Sequence, residues 1–288
     1  MKKIYDYIIY SLLALIIIVT IILFLPKGDN PDNPDSFTLV VNNKSLEIDK
    51  SGSKKVDATS NGEILYRSYN PLIAIVTKNG AVIGISEGET KIEVSTVDGK
   101  IKEYITVKVK QKSGAQDIDP SNITIVGDSR MVGLCSYKWY KKDNGTCIAK
   151  VGEGYKWLIN TALPEVSKVS SAKKKNIVLN LGVNDLGNAD NYVKKYKELA
   201  KGDWKNSNIF LLSVNPTKGK YDNLNDRINT INSKYKSLAK EVKNITYCDS
   251  VTYLKNNGFG SSDGLHYNED TSKIIYSQIK KCIYDFYN

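Results

Sequence analysis

Hydrophobic residues in the C-terminal part of the chain form short uninterrupted runs that alternate with stretches of helical periodicity. The runs are ITIVG (123–127), TCIAKVG (146–152), NIVLNLG (176–182), NIFLLSV (208–214) and ITYCD (245–249). The helical patterns lie near 155–170, 190–201, 224–242 and 270–286. Continuous apolar strands separated by helices are typical of a parallel sheet that is covered on both faces. We therefore predict a flavodoxin-like, three-layer α/β/α domain over residues 122–288.

A different pattern precedes it, because apolar and polar residues alternate in short runs between positions 37 and 110. In TKIEVST and YITVKVK this alternation places Ile92 and Val94, and then Ile105, Val107 and Val109, on one face. The turn sequences KNG and DGK are typical of hairpins. We predict an all-β sandwich over residues 37–110, between linkers at 26–36 and 111–121.

The first 25 residues hold an uncharged apolar run from Tyr7 to Leu25 behind Lys2 and Lys3. At about 1.5 Å per residue, such a run is long enough for the ~30 Å hydrocarbon core of a bilayer. The leading lysines favour a cytoplasmic N-terminus. A cleaved signal peptide is the alternative, but a small-x-small cleavage site does not follow the run. We expect a single-pass signal anchor at 1–25, with both folded domains outside the cell membrane.

The composition of the chain bears on which partners, disulfides and metal sites are expected. The formal net charge is +10, from 41 Lys and Arg against 31 Asp and Glu, which suits either polyanionic surroundings or a lysine-rich solvated surface. We do not expect a nucleic-acid partner, because the sequence has no stripe of arginines and aromatics. The four cysteines, Cys135, Cys147, Cys248 and Cys282, allow three complete disulfide pairings, and buried free thiols are an equal alternative. A single histidine argues against a Cys/His metal site.

Ser129 is the first candidate catalytic residue. It lies just after the first predicted parallel strand, at the edge of the sheet where reactive groups are commonly found. A serine hydroxyl needs a base, and the only histidine is His266. Asp263 lies three residues earlier, so one turn can hold its carboxylate against the imidazole. These three residues form a predicted catalytic triad. Asp128 is expected to stabilise the turn instead of taking part in catalysis.

Two further strand ends offer donors for an oxyanion. Asn184, in GVND, follows the third strand, and Gly152, in KVGEG, follows the second, with Gly154 as the alternative glycine. Asp185 is expected to be a structural hydrogen-bonding partner for its loop. The side chains of Asn215 and Pro216 are candidates to border the substrate cleft, whereas Trp139 and Trp157 are expected to pack in the core or at its rim. The KKK run at 173–175 is expected to be solvated surface.

These residues resemble two known families. GDSR, KVGEG, GVND and DGLH occur in order from about Ile123 onwards and resemble the four blocks of the SGNH hydrolases, the GDSL-type esterases. The resemblance assigns the nucleophile to Ser129, the oxyanion hole to Gly152 and Asn184, and the Asp-x-x-His pair to Asp263 and His266. Arg130 replaces the leucine of the family name, a change expected to matter little. Separately, YRSYNPLIAIVTKNGAVIGISEGETKIEV resembles bacterial Ig-like domains of group 2, which act as spacers or adhesive modules.

The SGNH resemblance implies a serine esterase that needs no metal or organic cofactor. Together with the predicted location, it suggests that the substrate is a small acyl ester, acetyl above all, on a surface glycan or wall polymer. Two alternatives stay open. One is an O-acetyltransferase that uses the same acyl-enzyme, and the other is a catalytically inactive surface adhesin or scaffold.

Overall fold

The computed structural model describes residues 36–169 and 176–288. The predicted signal anchor at 1–25, most of the linker at 26–36 and the KKK run at 173–175 lie outside these ranges. Within them, we find no helix with the length and apolar character that crossing a membrane requires.

The N-terminal region is all β, as the alternation predicts. Its strands are β1 (Leu39–Val41), β2 (Ser45–Asp49), β3 (Ser53–Lys55), β4 (Ala58–Ser60), β5 (Ile64–Ser68), β6 (Ala74–Val76), β7 (Ala81–Gly84), β8 (Gly88–Thr96) and β9 (Lys102–Lys110). They form a four-stranded sheet in the order β2-β9-β8-β5, a three-stranded sheet in the order β3-β7-β6, and the antiparallel pair β1-β4.

Side-chain alternation builds the core of this region. Ile92, Val94, Ile105 and Val107 are fully buried, and Val109 is 1% exposed, so the face predicted from the sequence is the inner one. They pack with Ala74, Val76 and Val82 from the three-stranded sheet. The hairpin turns need a positive φ, and glycine supplies it at Gly80 (76°) and Gly99 (68°).

The C-terminal region contains the predicted parallel sheet. Its strands are β10 (Ile123–Gly127), β11 (Thr146–Ala149), β12 (Asn176–Asn180), β13 (Asn208–Leu212) and β14 (Ile245–Cys248). All four neighbouring pairs are parallel, and the order is β11-β10-β12-β13-β14. This is the flavodoxin-like order, in which β10 is flanked by β11 and β12 at the point where the strand order reverses.

Seven helices are described around this sheet. They are α1 (Ser129–Ser136), α2 (Lys138–Lys142), α3, which comprises Tyr155–Trp157, the π-helical turn Leu158–Ala162 and Leu163–Val169, α4 (Ala189–Lys201), α5 (Asn225–Glu241), α6 (Ser250–Asn257) and α7 (Glu269–Tyr287). Short 3-10 turns occupy Pro120–Asn122, Leu186–Asn188 and Gly219–Leu224. The four predicted helical patterns correspond to α3, α4, α5 and α7.

Neighbouring residues of each parallel strand point to opposite faces of the sheet, which gives the region its three layers. Ile177 and Leu179 of β12 belong to a core that is shared with α3, α4 and α5. Val178, between them, belongs to a second core that is shared with α1, α6 and α7. Both faces of the sheet are therefore dry, which explains why its strands are continuous apolar runs.

All four cysteines form disulfides. Cys135 of α1 is bonded to Cys147 of β11, and Cys248 of β14 is bonded to Cys282 of α7. Of the alternatives left open by the sequence, the structure has one complete pairing, and the described residues contain no free thiol.

The two regions are in direct contact through α6 and α7. Tyr253 Oη donates to the Val76 carbonyl at 2.6 Å, and the buried Ser277 Oγ donates to the Pro71 carbonyl at 2.7 Å. Leu72, from the β-rich region, packs against the second core of the parallel-sheet region. The β-rich region is thus docked onto the helices that cover one face of the parallel sheet.

Candidate active site

Ser129 lies at a tight strand-to-helix turn. Strand β10 ends at Gly127, and α1 begins at Ser129. Asp128 caps the helix, since its Oδ1 accepts from the Arg130 N–H at 3.0 Å. A Cβ atom on Gly127 would lie 2.2 Å from Met131 Cγ, so the turn requires glycine there. The serine is the first residue of α1, at the carboxyl edge of the parallel sheet.

The loop between α6 and α7 brings His266 to this serine. His266 Nε2 is 2.9 Å from Ser129 Oγ, and His266 Nδ1 is 2.7 Å from Asp263 Oδ2. The three residues predicted to form a triad therefore make one continuous chain of hydrogen bonds. Ser129 is 8% exposed, while the side chains of His266 and Asp263 are each 41% exposed, so the chain reaches from a buried hydroxyl towards solvent.

Asp263 is held by its own loop as well as by the imidazole. Its Oδ1 accepts from the N–H groups of His266 at 2.7 Å and Leu265 at 2.8 Å. The His266 N–H, together with the imidazole, holds the pKa of the Asp263 carboxyl well below its usual range. The carboxylate is thus ionised at any pH at which an imidazole titrates, and its position favours Nδ1 as the protonated nitrogen of a neutral His266.

The environment of Asp128 is the opposite of that of Asp263. Asp128 is 1% exposed, and burial raises its pKa to about 6, although Arg130 opposes this effect. Its carboxylate bonds to the Arg130 N–H and not to His266. The side chain serves the turn, in agreement with the role predicted for it.

Sheet register places the other two predicted blocks on either side of Ser129. Gly127 of β10 is paired with Ala149 of β11 and with Asn180 of β12. The chain leaves these neighbouring strands in the same direction, because the pairs are parallel. The loops with Gly152 and Asn184 therefore emerge at the same edge of the sheet as Ser129, one on each side.

Asn184 joins these two loops. Its Nδ2 donates to the Glu153 carbonyl at 2.8 Å, next to Gly152. Gly152 has a φ of 75°, and a Cβ atom on it would meet nothing within 4 Å, so the side of Gly152 on which a side chain would lie is open. An amide nitrogen has two hydrogens, and one of those of Asn184 is left for a second acceptor.

The alternative glycine, Gly154, has a structural task. A Cβ atom there would lie 2.4 Å from Asp185 Oδ2, so glycine permits the close approach of Asp185. That carboxylate accepts from the Tyr155 N–H at 2.7 Å and from Tyr192 Oη at 2.8 Å. Asp185 thus ties the start of α3 to α4, and Gly152 is the better candidate of the two glycines for an oxyanion donor.

Sequence reasoning missed Arg130. The residue is 5% exposed, its Nε donates to the Leu265 carbonyl at 3.0 Å, and its Nη1 donates to the Asn215 carbonyl at 2.7 Å. It is therefore more than a neutral substitute for leucine. The available signal was a charged residue directly after Ser129, in a turn with an apolar strand before it and Met131 after it.

The prediction that Asn215 and Pro216 border the substrate cleft is wrong. Both are buried, and the Asn215 side chain is engaged with Ser250, whose Oγ donates to Asn215 Oδ1 at 2.6 Å. The Pro216 carbonyl accepts from Tyr267 Oη at 2.7 Å. The Pro216 carbonyl thus anchors Tyr267, the residue that follows His266.

Both tryptophans considered in the sequence pack against other side chains. Trp157 is 7% exposed in the core beneath α3, and the half-buried Trp139 stacks on Tyr137 and donates to Glu269. Among the described residues, no group of three or more His, Cys, Asp and Glu side chains is arranged to hold a metal ion.

Comparison with known proteins finds similarity to solved structures alone. No family model matches the chain, and a search of curated proteins finds no match. Its structural neighbours include SGNH hydrolases. A lipolytic protein of the G-D-S-L family from Veillonella parvula is 17% identical, with a TM-score of 0.46 over 55% of this chain and 96% of that one.

Two further neighbours differ in kind. The C-terminal catalytic domain of Streptococcus pneumoniae peptidoglycan O-acetyltransferase A, which has a methylsulfonyl adduct, is 17% identical, with a TM-score of 0.45 over 56% of this chain and 91% of that one. An intimin mutant from EHEC O157:H7 is 21% identical, with a TM-score of 0.21 over 26% of this chain and 46% of that one. Because these scores are below 0.5, function has to be inferred from the geometry of the chain's own residues.

Proposed function

We propose that this protein is an extracytoplasmic serine esterase of the SGNH type that removes small acyl groups, acetyl above all, from a surface glycan or wall polymer. The observation that carries the proposal is the hydrogen-bond chain from Ser129 Oγ through His266 to Asp263. In that order the three groups provide a nucleophile, a base and an orienting carboxylate.

The first half of the reaction forms an acyl-enzyme. Ser129 Oγ attacks the ester carbonyl while its proton moves to His266 Nε2, 2.9 Å away. Asp263 stabilises the imidazolium that forms, since its carboxylate lies 2.7 Å from Nδ1. When the tetrahedral intermediate collapses, the bond to the alcohol oxygen breaks, and Nε2 returns the proton to the departing alcohol.

We assign three donors at this edge of the sheet to the oxyanion. The Ser129 N–H lies in the first turn of α1, where helix N–H groups have no intrahelical partner. Gly152 offers a backbone N–H from an open turn, and Asn184 offers the second hydrogen of its amide. In enzymes of this kind, the loss of one such donor lowers turnover by roughly 100- to 1000-fold.

Water completes the cycle. His266 Nε2 takes a proton from a water molecule, whose oxygen attacks the acyl carbon, and the bond to Ser129 Oγ then breaks as Oγ regains a proton. The products are a carboxylic acid and free Ser129. A sugar hydroxyl in place of this water would transfer the acyl group to a glycan.

Three features support the location and the substrate. Both pairs of cysteines are oxidised to disulfides, which persist outside the reducing cytoplasm. The predicted signal anchor agrees with that compartment. The net charge of +10 favours proximity to an anionic wall.

The test is labelling of the full-length chain with a fluorophosphonate, in parallel with hydrolysis of p-nitrophenyl acetate. We expect Ser129→Ala and His266→Ala to lose both labelling and turnover. Ser136→Ala is the matched control, because this serine is exposed at the end of the same helix, where its Oγ only contacts the Gly133 carbonyl. Labelling that survives Ser129→Ala would dismiss the proposed nucleophile.

Product analysis distinguishes the acyl acceptors. Acetylated wall glycan is incubated with the protein, with and without an unacetylated glycan, and free acetate and newly acetylated sugar are both measured. Free acetate alone supports hydrolysis, whereas acetate that appears on the added glycan assigns the protein to O-acetyl transfer. Binding of wall material with no turnover of any activated acetyl ester would leave an adhesin.

A further inference from the structure

Arg130 is a buried charge next to the nucleophile. Its guanidinium makes two hydrogen bonds to backbone carbonyls, those of Leu265 and Asn215, and lies over the Tyr267 ring with its carbon 5.0 Å from the ring centre. The remaining nitrogen, Nη2, is buried without a hydrogen-bond partner. The hydrogen bonds of Arg130 thus go to two loops at the edge of the sheet, one with Leu265 and one with Asn215.

These contacts bracket His266 in the sequence. Leu265, whose carbonyl accepts from Arg130 Nε, directly precedes the histidine, and Tyr267, which stacks under the guanidinium, directly follows it. Asn215, whose carbonyl accepts from Arg130 Nη1, directly precedes Pro216. The Pro216 carbonyl in turn accepts from Tyr267 Oη. One side chain therefore fixes both flanks of the base to the helix that begins at Ser129.

Stability alone is a poor explanation for this arrangement. A buried ionic group must give up its hydration, and its replacement by apolar groups of similar volume is often neutral or stabilising. Here the cost is increased by a guanidinium nitrogen that has no partner. A leucine at position 130 would avoid this cost but would leave the Leu265 carbonyl without its donor.

We propose that Arg130 is a positioning residue that holds the His266 imidazole at hydrogen-bonding distance from Ser129 Oγ. This inference rests on the proposed function, because positioning matters only if His266 acts on that hydroxyl. It extends the function by adding a residue that touches neither substrate nor reacting atoms. Displacement of a catalytic group by about 1 Å costs on the order of 100-fold in rate.

The test compares Arg130→Leu and Arg130→Lys with wild type, using the full-length chain. Lysine keeps the charge but cannot reproduce the planar fork that reaches two carbonyls and stacks on a ring. For both variants we expect kcat for p-nitrophenyl acetate to fall about 100-fold while KM changes less than about threefold. Arg227→Lys is the matched control, because Arg227 is exposed on α5.

Two measurements separate positioning from folding. The fraction of folded protein is taken from thermal unfolding at the assay temperature, and kcat is corrected for it. The His266 imidazole, the only one in the chain, is observed by proton NMR through its Nδ1–H. We expect Arg130→Leu to broaden or shift this resonance in protein that is still folded, and Arg227→Lys to leave it unchanged.

The outcomes are distinct. A corrected kcat for Arg130→Leu within threefold of wild type, with an unchanged imidazole resonance, overturns the proposal. So does a loss of rate that the unfolded fraction fully explains. If wild type itself has no esterase activity, the proposed function fails. The positioning of His266 by Arg130 is then judged by the imidazole resonance alone, and a resonance that changes in Arg130→Leu still supports it.

Discussion

Two carboxyl groups near the candidate nucleophile have pKa values that are shifted in opposite directions because their surroundings differ. Asp128 is fully enclosed and its pKa is raised to about 6, whereas Asp263 accepts two backbone N–H groups and an imidazole, and its pKa is lowered. Proximity to Ser129 in the sequence therefore does not make Asp128 a partner of His266. At the scale of single residues, burial raises the pKa of Asp128 and hydrogen-bond donors lower that of Asp263.

The raised pKa of Asp128 predicts a pH-dependent stability. Between the ordinary value of 3.8 and about 6, the folded protein binds more protons than the unfolded chain, so this residue's contribution falls as pH rises and levels off above pH 6. The expected loss is on the order of 3 kcal/mol. Urea unfolding should show that the free energy of unfolding falls less, or rises more, from pH 4.5 to pH 7 in Asp128→Asn than in wild type. Equal differences would mean that the buried carboxyl does not titrate in this range.

Asp263→Asn should retain the fold and lose activity. An asparagine oxygen can still accept from the N–H groups of Leu265 and His266, which hold the turn. Its amide would donate towards Nδ1, however, and favour the tautomer in which Nε2 has a proton and cannot act as a base. We expect kcat to fall by about 10⁴-fold, as in other triads with this change, with little change in thermal unfolding. Near-wild-type turnover would remove Asp263 from the mechanism.

At the scale of elements, the sequence predicted the kind of each main strand and helix but not the finer connections. The strands were recognisable because both sheet faces are dry, which gives five-residue apolar runs such as ITIVG and NIVLN. Helices α2 and α6 were missed because they are short and have weak periodicity. Arg130 contacts a loop more than a hundred residues away in the sequence, so the local sequence around Arg130 does not predict this contact.

The start of α3 offers an element-scale prediction with a control of opposite sign. Gly154→Ala forces a methyl group to within 2.4 Å of Asp185 Oδ2, so the loop from Gly152 to Tyr155 has to move. We expect lower thermal stability and a loss of turnover. Gly133→Ala, on an exposed position of α1 with nothing within 4 Å of its Cβ, should stabilise by about 0.5–1 kcal/mol. Thermal unfolding of both variants tests the pair, and stabilisation by Gly154→Ala would contradict the geometry.

At the scale of the whole molecule, the β-rich region is docked on the parallel-sheet region. Leu72 and Ser277 join it to the core beneath α7, and Tyr253 joins it to α6, whose end leads into the loop that contains His266. A spacer on a flexible connection would make no such contacts. The two regions are therefore expected to unfold together.

Leu72→Ala tests this coupling, because the Leu72 side chain lies at the contact between the two regions. We expect a loss of about 1–2 kcal/mol, less than for a fully buried leucine, and faster hydrogen exchange of backbone amides in α7. Val97→Ala is the control, since Val97 is 47% exposed at the β8–β9 turn. If faster exchange is confined to residues 39–110, the regions are independent.

The two disulfides have a practical consequence for anyone who prepares this protein. They span 12 and 34 residues, and each is worth about 2–4 kcal/mol, against a total of roughly 5–15 kcal/mol for a typical domain. Material made in a reducing bacterial cytosol would have four thiols, and much of it would be misfolded. A lack of esterase activity in such a preparation would reflect the missing disulfides and would not show that Ser129 is inactive.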